Sequence, residues 1–284
     1  MIHDAEIARR PTTAIRLAIA GAGGRMGQAL VEAVLATSDC SLAAALDVAG
    51  SAAIGRDAGE RFGRATGVIV TADVDAALRV ADVLIDFTRP AGTLAHAAAC
   101  AHHGVAVVVG TTGLDAAQKD ALAAYARTVP IVFAPNMSVG VVVLADLVER
   151  AARALGPAFD VEVVEMHHRL KVDAPSGTAL QLGQAAASGA GVDFAAGAVY
   201  AREGHTGERK AGTIGFATLR GGDVVGEHTV VFAGTGERVE LTHRATSRQN
   251  FAAGALRAAR FVVAKHGDRT VGLYDMRDVL GLSR

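Results

Sequence analysis

The stretch GAGGRMG, from Gly21 to Gly27, lies between an apolar run and a helix-like segment. The dinucleotide-binding fingerprint G-x-G-x-x-G would end at Met26, but the last glycine here comes one residue later, so the spacing is G-x-x-G-x-x-G. In such a turn Gly21 permits the tight bend, and Gly27 lets the following helix pack on the strand. Gly23 or Gly24 admits a pyrophosphate, to which the helix N-terminus offers free N–H groups. Taken alone, the stretch is either a nucleotide-binding turn or a glycine-rich bend that binds nothing.

Short apolar runs alternate with helix-like segments from Ile15 to about Pro135. Strands are predicted for IRLAIA, SLAAALD, ADVLIDFT, VAVVVG and PIVFA, and helices for MGQALVEAVLAT, GTLAHAAACAHHG and DAAQKDALAAYART. Strands that alternate with helices form parallel βαβ units, and continuously apolar strands indicate a sheet covered on both faces. We therefore predict an α/β fold with a Rossmann-type doubly wound parallel sheet.

The pattern changes after Asn136. A helix from about Val141 to Leu155 precedes the predicted strand FDVEVVEMHH, and several strands are predicted between Thr213 and Thr246. Two of them, EHTVVFA and RVELTHRA, are joined by GTGE, a turn of hairpin length. Consecutive strands indicate a second α+β domain with a mixed or antiparallel sheet. An apolar stripe predicts a closing helix from about Ser247 to Lys265, and residues 185–198, AAASGAGVDFAAGA, are predicted to be a mobile loop.

Composition narrows the class of partner. The chain has 284 residues, 51% of them hydrophobic, with 28 basic against 29 acidic residues and a formal net charge of -1. A nucleic-acid-binding protein would show a basic excess, so we predict a small-molecule partner and no nucleic acid. Cys40 and Cys100 lie 60 residues apart and have no metal-ligand spacing, which favours a reducing compartment and a cytoplasmic location.

One segment has the minimum length of a membrane span. The 18 residues from Thr128 to Ala145 carry no charge. Pro130, Pro135 and Gly140 interrupt this run, which indicates a buried strand, a turn and the start of a buried helix. We therefore expect no membrane partner.

The second predicted strand ends in Asp47, 20 residues after Gly27. Folds of this class place an acid there against the ribose hydroxyls of the adenosine, which favours NADH. Val48 follows, so no arginine is available at that position for a 2′-phosphate, although Arg25 inside the turn could partly serve. The predicted cofactors are therefore NADH and NADPH, with a preference for NADH or use of both.

Two more strand ends could cover the nicotinamide half of a dinucleotide. DFTRP, from Asp86 to Pro90, and GTTG, from Gly110 to Gly113, follow predicted parallel strands. Ligands of open α/β sheets bind at the carboxyl ends of the strands. Each segment is either part of a cofactor site or an ordinary turn.

EMHHRLKVDAPSGTAL, from Glu165 to Leu180, is the segment richest in reactive side chains. The adjacent histidines lack a third ligand at a recognisable spacing and have cations beside them, so we predict no metal site. Cations next to a helix start suit an anionic substrate, because Ser176, Gly177 and Thr178 offer N–H groups and a hydroxyl to a carboxylate. Histidine titrates near neutrality and a lysine can donate a proton, so the segment could supply acid–base catalysis.

Several of these motifs together resemble the dihydrodipicolinate reductase family. The resemblance runs from about Ile15 to Leu282 and rests on GAGGRMG, DFTRP, GTTG, HHRLKVDAPSGTA, REGHTGERKAGTIGFATLRGGDVVGEHTVVFA and YDMRDVL. HHRxKxDAPSGTA is far more specific to the family than any glycine turn. The resemblance implies NAD(P)H-dependent reduction of 4-hydroxy-tetrahydrodipicolinate, via dihydrodipicolinate, to tetrahydrodipicolinate in lysine and diaminopimelate biosynthesis. It also suggests a homotetramer built through the second domain.

The resemblance assigns roles in the second domain by position. It implies that His167 donates or accepts a proton, that Lys171 donates the proton that answers hydride delivery, and that His168 contacts the substrate. Gly177 and Thr178 would hold a substrate carboxylate.

The resemblance also assigns cofactor contacts. These would be Gly21, Ala22, Gly23, Gly24, Arg25, Met26, Asp47, Gly110, Thr111, Thr112, Ala134, Pro135, Asn136 and Met137. The chain departs from many relatives at Val48, where they carry arginine, which counts against a strong NADPH preference. It also has Met137 where others often have phenylalanine, and we expect this to alter packing in the nicotinamide pocket.

The patterns and the resemblance divide the chain into four parts. Residues 1–13 lack the apolar core of a signal peptide and are predicted to be a loose N-terminal tail. The dinucleotide-binding domain is predicted over residues 14–137, and the substrate-binding and oligomerisation domain over residues 138–247. Residues 248–284 are predicted to form a C-terminal helix and segment that return to the dinucleotide-binding domain.

Three other functions remain open from the residues. The first is another two-domain nicotinamide enzyme with an amino-acid-derived substrate, such as an aspartate dehydrogenase. A semialdehyde dehydrogenase with a cysteine nucleophile is disfavoured, because neither Cys40 nor Cys100 lies at a recognisable active-site turn. The third is an NADH-binding regulator that is not an enzyme, which would have no need for HHRLK beside SGTA.

Overall fold

The computed structural model describes residues 14–282, and the tail predicted over residues 1–13 lies outside them. The backbone divides into two compact units. Among the described residues, one unit contains residues 14–135 and Ala252–Val279, and the other contains Asn136–Phe251 and residues 280–282. The functional borders predicted after residues 137 and 247 stay predictions.

Residues 14–282 form twelve strands and nine α-helices. The strands are β1 (Ile15–Ala20), β2 (Cys40–Leu46), β3 (Val70–Thr71), β4 (Val83–Asp86), β5 (Ala106–Val109), β6 (Pro130–Phe133), β7 (Asp160–His167), β8 (Ala198–Val199), β9 (Ile214–Arg220), β10 (Gly226–Ala233), β11 (Arg238–Ala245) and β12 (Gly272–Tyr274). The helices are α1 (Arg25–Leu35), α2 (Val74–Leu78), α3 (Pro90–His103), α4 (Ala116–Tyr125), α5 (Val139–Leu155), α6 (Gly177–Ala190), α7 (Phe194–Gly197), α8 (Gln249–Gly267) and α9 (Met276–Leu280).

The first unit is built on a parallel seven-stranded sheet in the order β12-β6-β5-β4-β1-β2-β3. The order 3-2-1-4-5-6 within it is that of doubly wound dinucleotide-binding sheets, and the chain reverses direction across the sheet between β1 and β4. All residues of β4 and β5 are buried, as expected for strands covered on both faces. The predicted fold class is confirmed.

Strand register brings three predicted turns to one edge of this sheet. Ala20 at the end of β1 pairs with Asp86 at the end of β4, and Asp86 pairs with Val109 at the end of β5. The segments that follow these residues are GAGGRMG, DFTRP and GTTG. The turns therefore lie at the carboxyl edge of the sheet, at the switch point where such folds bind ligands.

The second unit contains a mixed five-stranded sheet in the order β11-β10-β7-β9-β8. β10 is antiparallel to β7 and to β11, whereas β7 and β9 are parallel. Val163, Phe216 and Phe232 on one face are buried in a common core with Val148 of α5 and Leu182 of α6. The predicted hairpin between β10 and β11 is present, with Gly236 at a φ of 81° in the turn.

The prediction of a mobile loop over residues 185–198 is wrong. α6 continues to Ala190, and α7 occupies Phe194–Gly197. Alanine has the highest helix propensity, so the alanine-rich start of this stretch extends the preceding helix. The helix ends at Gly191, whose φ of 70° is left-handed.

The uncharged run from Thr128 to Ala145 is divided between two elements. It contains β6 and the start of α5, whose N-cap is Ser138. In the part of the chain that the structure describes, no helix combines the length and apolarity needed to cross a membrane.

Candidate active site

The turn after β1 is closed by its own backbone. The Gly24 N–H donates to the Gly21 carbonyl at 2.9 Å, and Gly21 has a φ of 71°. A Cβ on Gly27 would lie 2.0 Å from the Gly21 carbonyl oxygen and 2.7 Å from Ala22 Cα. The absence of a side chain at Gly27 therefore lets α1 begin directly against the turn.

The start of α1 has the features of a phosphate site. Its N-cap is Gly24, so no side chain from residues 14–282 caps the first turn. Gly23 and Gly24 are exposed, and a Cβ on Gly23 would lie 2.5 Å from Asp47 Oδ2. Open glycine backbone at an uncapped helix N-terminus fits the pyrophosphate of a dinucleotide.

Asp47 lies next to this turn, and its predicted contact with the ribose stays a prediction. Its Oδ2 accepts a hydrogen bond from the Gly23 N–H at 2.8 Å, and its Oδ1 accepts one from the Val48 N–H at 2.8 Å. The Val48 side chain is 73% exposed. Arg25 is also exposed and is the first residue of α1.

The DFTRP and GTTG turns are joined by the buried carboxylate of Asp86. Asp86 is 0% exposed, and its side chain accepts hydrogen bonds from the Thr88 N–H at 2.8 Å and from the Thr93 hydroxyl at 3.1 Å. His96 Nδ1 lies 2.7 Å from Asp86 Oδ2. The Thr111 hydroxyl donates to Asp86 Oδ1 at 3.3 Å. Burial tends to raise the pKa of Asp86, but the hydrogen bonds outweigh it and the net pKa is lowered. The sequence did not indicate this cluster, since its residues lie on α3, β4 and the turn after β5.

The other predicted cofactor residues of this unit lie close to the same turns. Gly110 packs so closely on Phe87 that a Cβ would be 2.2 Å from the ring. Thr112 is exposed. The Ala134 N–H donates to the Val109 carbonyl at 3.0 Å, and Pro135 after it is exposed.

Asn136 and Met137 belong to the second unit. Asn136 Nδ2 donates to Thr178 Oγ1 at 3.0 Å, and its Oδ1 accepts from the Ser138 N–H at 3.0 Å. Met137 is fully buried. The side chain of Asn136 is thus placed against the predicted carboxylate-binding segment.

His167 is the last residue of β7, and its side chain is 10% exposed. Its Nδ1 lies 2.6 Å from Glu165 Oε2, and its ring meets the His228 ring edge-on with centroids 5.0 Å apart. Burial lowers the pKa of His167, against the opposing effect of Glu165. Burial, reinforced by repulsion from His167, lowers the pKa of His228 to about 4, so His228 is neutral near neutral pH.

The loop after β7 holds Lys171. The Lys171 Nζ donates to both carboxylate oxygens of Asp173, at 2.8 and 2.9 Å. The backbone N–H of Lys171 donates to the His168 carbonyl at 3.1 Å. Burial tends to raise the pKa of Asp173, but the hydrogen bond from Lys171, a backbone hydrogen bond and the charges of Lys171 and Arg220 together outweigh it, so that the net pKa is lowered. The Nδ1 atom of His168 is buried and has no hydrogen-bond partner within residues 14–282.

α6 begins beside these groups with Ser176 as its N-cap. The Ser176 hydroxyl accepts from the Ala179 N–H at 3.1 Å and lies 2.9 Å from His228 Nε2. Gly177 is exposed, and a Cβ there would meet open space. The first turn of a helix has N–H groups without intrahelical partners, so this exposed start can hold a carboxylate.

Glu165 is the main site residue that sequence analysis missed. It is 1% exposed and accepts hydrogen bonds from Arg220 and from the Ser176 N–H, besides that from His167. Burial raises the pKa of Glu165, but Arg220 and His167 outweigh it, so its net pKa lies below the ordinary value. The sequence contained a signal for it: side chains alternate between the two faces of a strand, which places Glu165 on the same buried face of β7 as Val163.

No group of three potential metal ligands occurs among residues 14–282. A doubly wound sheet has a glycine turn at its switch point, and the other unit has a histidine and a lysine beside a helix N-terminus. These features define a Rossmann-type oxidoreductase.

Comparison with known proteins identifies the family. The model of the dihydrodipicolinate reductase N-terminus matches residues 15–137, and that of the C-terminus matches residues 140–280. The 4-hydroxy-tetrahydrodipicolinate reductase of Cupriavidus necator is 59% identical over 268 residues, which are 94% of this chain and 100% of the relative. The 4-hydroxy-tetrahydrodipicolinate reductase of Thiobacillus denitrificans is 60% identical, and the match covers 94% of this chain and 99% of the relative. A dipicolinate-bound dihydrodipicolinate reductase from Paenisporosarcina sp. TG-14 has a TM-score of 0.72 at 27% identity, with 93% of this chain and 98% of that one covered.

The chain belongs to the dihydrodipicolinate reductase family. This confirms the resemblance, the oxidoreductase class and the reductase function in lysine and diaminopimelate biosynthesis. It decides against an aspartate dehydrogenase, a semialdehyde dehydrogenase and a regulator that is not an enzyme. The family and the Rossmann-type first unit imply a nicotinamide cofactor. The choice between NADH and NADPH and the roles of individual residues stay predictions.

Proposed function

We propose that the protein reduces 4-hydroxy-tetrahydrodipicolinate, via dihydrodipicolinate, to tetrahydrodipicolinate, with His167 and Lys171 as the proton-transfer groups. One observation carries this proposal: the Glu165 carboxylate contacts both His167 Nδ1 and the Ser176 N–H, so that His167 lies beside the exposed start of α6. Lys171 lies in the loop between them and is paired with Asp173. The substrate is a dicarboxylate, and this arrangement combines cations, proton donors and free helix N–H groups.

The start of α6 would hold one substrate carboxylate. Gly177 and Thr178 supply N–H groups in the first turn, and the Ser176 hydroxyl adds a polar contact. The side chain of Thr178 is steadied by the bond from Asn136. His168, whose Nδ1 is buried without a partner, would donate to the substrate.

Reduction also needs a proton. A bound reduced nicotinamide would supply hydride to the conjugated ring of the substrate. That ring is formed when 4-hydroxy-tetrahydrodipicolinate loses its hydroxyl as water to give dihydrodipicolinate. Addition of hydride would leave a negative charge on the ring, and the ammonium of Lys171 donates the proton that neutralises this charge. Asp173 holds that ammonium in place before substrate arrives. His167 is the second proton-transfer group: it would donate a proton to, or accept one from, either Lys171 or the substrate.

Binding of the dicarboxylate analogue dipicolinate tests the proposed function. We expect calorimetry to show dipicolinate binding that is tighter with NADH present, and the gene to restore growth of a diaminopimelate-requiring strain. A folded protein that binds no dipicolinate with or without nucleotide would contradict the proposal.

The cofactor is proposed to be NADH, with NADPH also accepted. Asp47 presents a carboxylate beside the exposed backbone of Gly23, where ribose hydroxyls of NADH would bind and a 2′-phosphate would be repelled. Arg25 at the start of α1 would offset part of that repulsion. The remaining cofactor contacts that the resemblance implies stay part of this proposal; they are Gly21, Ala22, Gly23, Gly24, Met26, Gly110, Thr111, Thr112, Ala134, Pro135, Asn136 and Met137.

Val48→Arg should improve the use of NADPH. The position is exposed beside Asp47, so a guanidinium there can pair with the 2′-phosphate without disturbing the core. We expect kcat/KM for NADPH to rise about tenfold, equivalent to about 1.4 kcal/mol, with little change for NADH. The matched control is Val80→Arg, another exposed valine of the same unit. Equal kcat/KM values for NADPH in both variants would contradict the proposed position of the phosphate.

We also propose a cytoplasmic homotetramer that assembles through the second sheet. The face opposite α5 and α6 carries Met166 paired with Leu219, and Val164 paired with Ala217. Leu219 is 48% exposed. An exposed apolar sheet face suits burial against another copy.

The proposed cytoplasmic location rests on the cysteines. Both are free and buried, which agrees with a reducing compartment.

Sedimentation equilibrium should give a mass about four times the 28.9 kDa of the chain. Leu219→Glu should shift the mass towards smaller species, because a charge would have to be buried in the interface. Leu273→Glu, at an exposed leucine of β12 in the other unit, is the control and should leave the mass unchanged. A wild-type monomer would disprove the tetramer.

A further inference from the structure

We propose that Glu165 is a positioning residue that sets two parts of the site at once, the proton-transferring imidazole of His167 and the carboxylate-binding start of α6. This inference rests on the proposed function and deepens it. A single buried carboxylate would then connect acid–base chemistry with substrate binding.

The two oxygens of Glu165 have different partners. Oε2 lies 2.6 Å from His167 Nδ1 and accepts from Arg220 Nη1 at 2.8 Å. Oε1 accepts from Arg220 Nη2 at 2.9 Å, from the Ser176 N–H at 3.1 Å and from the Thr218 hydroxyl at 3.3 Å. With five contacts to a side chain that is 1% exposed, the carboxylate has a single orientation.

The contact with His167 selects one tautomer of the imidazole. An ionised carboxylate only accepts hydrogen bonds, so Nδ1 carries the hydrogen and Nε2 is the nitrogen that exchanges a proton. Gly226 is next to that nitrogen, and a Cβ there would lie 3.0 Å from Nε2. The absence of a side chain at Gly226 leaves room at the reactive end of the ring.

The contact with Ser176 orients the helix start. The N–H of Ser176 donates to Glu165, while the Ser176 hydroxyl caps the Ala179 N–H. Backbone and side chain of the N-cap residue are therefore both held, which fixes the direction of the free N–H groups of Gly177 and Thr178.

Arg220 extends the arrangement to the loop that holds Lys171. Besides its two bonds to Glu165, its Nη2 donates to the Asp173 carbonyl at 2.6 Å. Asp173 in turn binds the Lys171 ammonium through its carboxylate. The guanidinium also neutralises Glu165, which lets a carboxylate be ionised at this depth.

The alternative is that the Glu165–Arg220 pair serves stability only. That alternative predicts that removing the carboxylate changes unfolding but not the properties of the folded enzyme. Glu149→Gln is the matched control, because Glu149 is a buried carboxylate of α5 that pairs with Arg153 at 2.7 Å, outside the proposed site.

Glu165→Gln keeps the size of the side chain but removes its charge. We expect kcat to fall and the Kd of dipicolinate to rise, each by about tenfold to a hundredfold, because His167 and Ser176 lose an ionised acceptor. The Kd of NADH should change by less than about twofold, since Glu165 has no predicted part in nucleotide binding. Glu165→Asp, which keeps the charge but is one methylene shorter, should change the same constants in the same direction and by less.

The pH profile gives a readout that a structural role would not change. His167 faces Glu165 on β7, Arg220 on β9, His228 on β10 and Lys171 in the loop. Of these, Glu165 raises the pKa of His167, and Arg220 and Lys171 lower it. Removing the carboxylate should therefore lower that pKa further and move the His167-dependent limb of kcat/KM to lower pH.

The wild-type enzyme provides a test that does not depend on the folding of a variant. Nitrogen-15 NMR of the histidine side chains, with His167 assigned by its absence in His167→Gln, should show the neutral ring protonated at Nδ1. A ring protonated at Nε2 would overturn the proposal. So would a folded Glu165→Gln enzyme with kcat and dipicolinate Kd within about twofold of wild type, as expected for Glu149→Gln. Failure of wild-type turnover would instead contradict the proposed function.

Discussion

Replacement of Lys171 by alanine is expected to lower kcat by about a hundredfold to ten-thousandfold while the Kd of NADH changes by less than about twofold. The proposed proton donor is the ammonium of Lys171, and alanine leaves no group in its place. The substitution also removes the ion pair with Asp173, whose side chain is 56% exposed, so stability should change little.

The control for Lys171→Ala is Lys119→Ala, at an exposed lysine of α4 in the first unit. Stopped-flow measurement of a single turnover would separate proton transfer from product release. Turnover by Lys171→Ala equal to that of Lys119→Ala would remove Lys171 from the mechanism.

Gly27→Ala is expected to weaken NADH binding by about tenfold to a hundredfold and to lower the midpoint of thermal unfolding. The added Cβ would lie 2.0 Å from the Gly21 carbonyl oxygen, so α1 or the turn has to shift. That shift moves the N–H groups that would face the pyrophosphate. Because the Gly21 oxygen is a backbone atom, the clash with the new Cβ cannot be relieved by rotating a side chain.

Gly267→Ala is the matched control, because Gly267 also lies in a helix of the first unit and a Cβ there would meet open space. Fluorescence titration with NADH compares the two variants. If Gly27→Ala bound NADH as tightly as Gly267→Ala, the turn would not be the dinucleotide site.

The fold of the first unit could be predicted because its signals are local. Each buried strand is a continuous apolar run, and Gly104 ends α3 with a φ of 70° where the sequence predicted an end. β3 and β12 were not predicted, because strands of two or three residues have no periodicity to detect. Residues 185–198 were misassigned because glycine and serine were given more weight than the helix propensity of alanine.

The candidate site could be predicted in part, for a related reason. His167, Lys171 and Ser176 lie within ten residues, so their proximity is visible in the sequence. Arg220, by contrast, is 55 residues from Glu165, and His228 is 52 residues from Ser176. These pairs meet only through the register of β7, β9 and β10, which no local pattern specifies.

Substrate-dependent oxidation of NADH tests the central claim most directly. Initial rates would be measured by the absorbance of the reduced nicotinamide, with 4-hydroxy-tetrahydrodipicolinate generated in the assay and with NADPH as a second cofactor. We predict oxidation that is proportional to enzyme, inhibited by dipicolinate in competition with substrate, and almost abolished in Lys171→Ala. A folded wild-type enzyme that binds NADH but oxidises neither nucleotide when substrate is added would contradict the account.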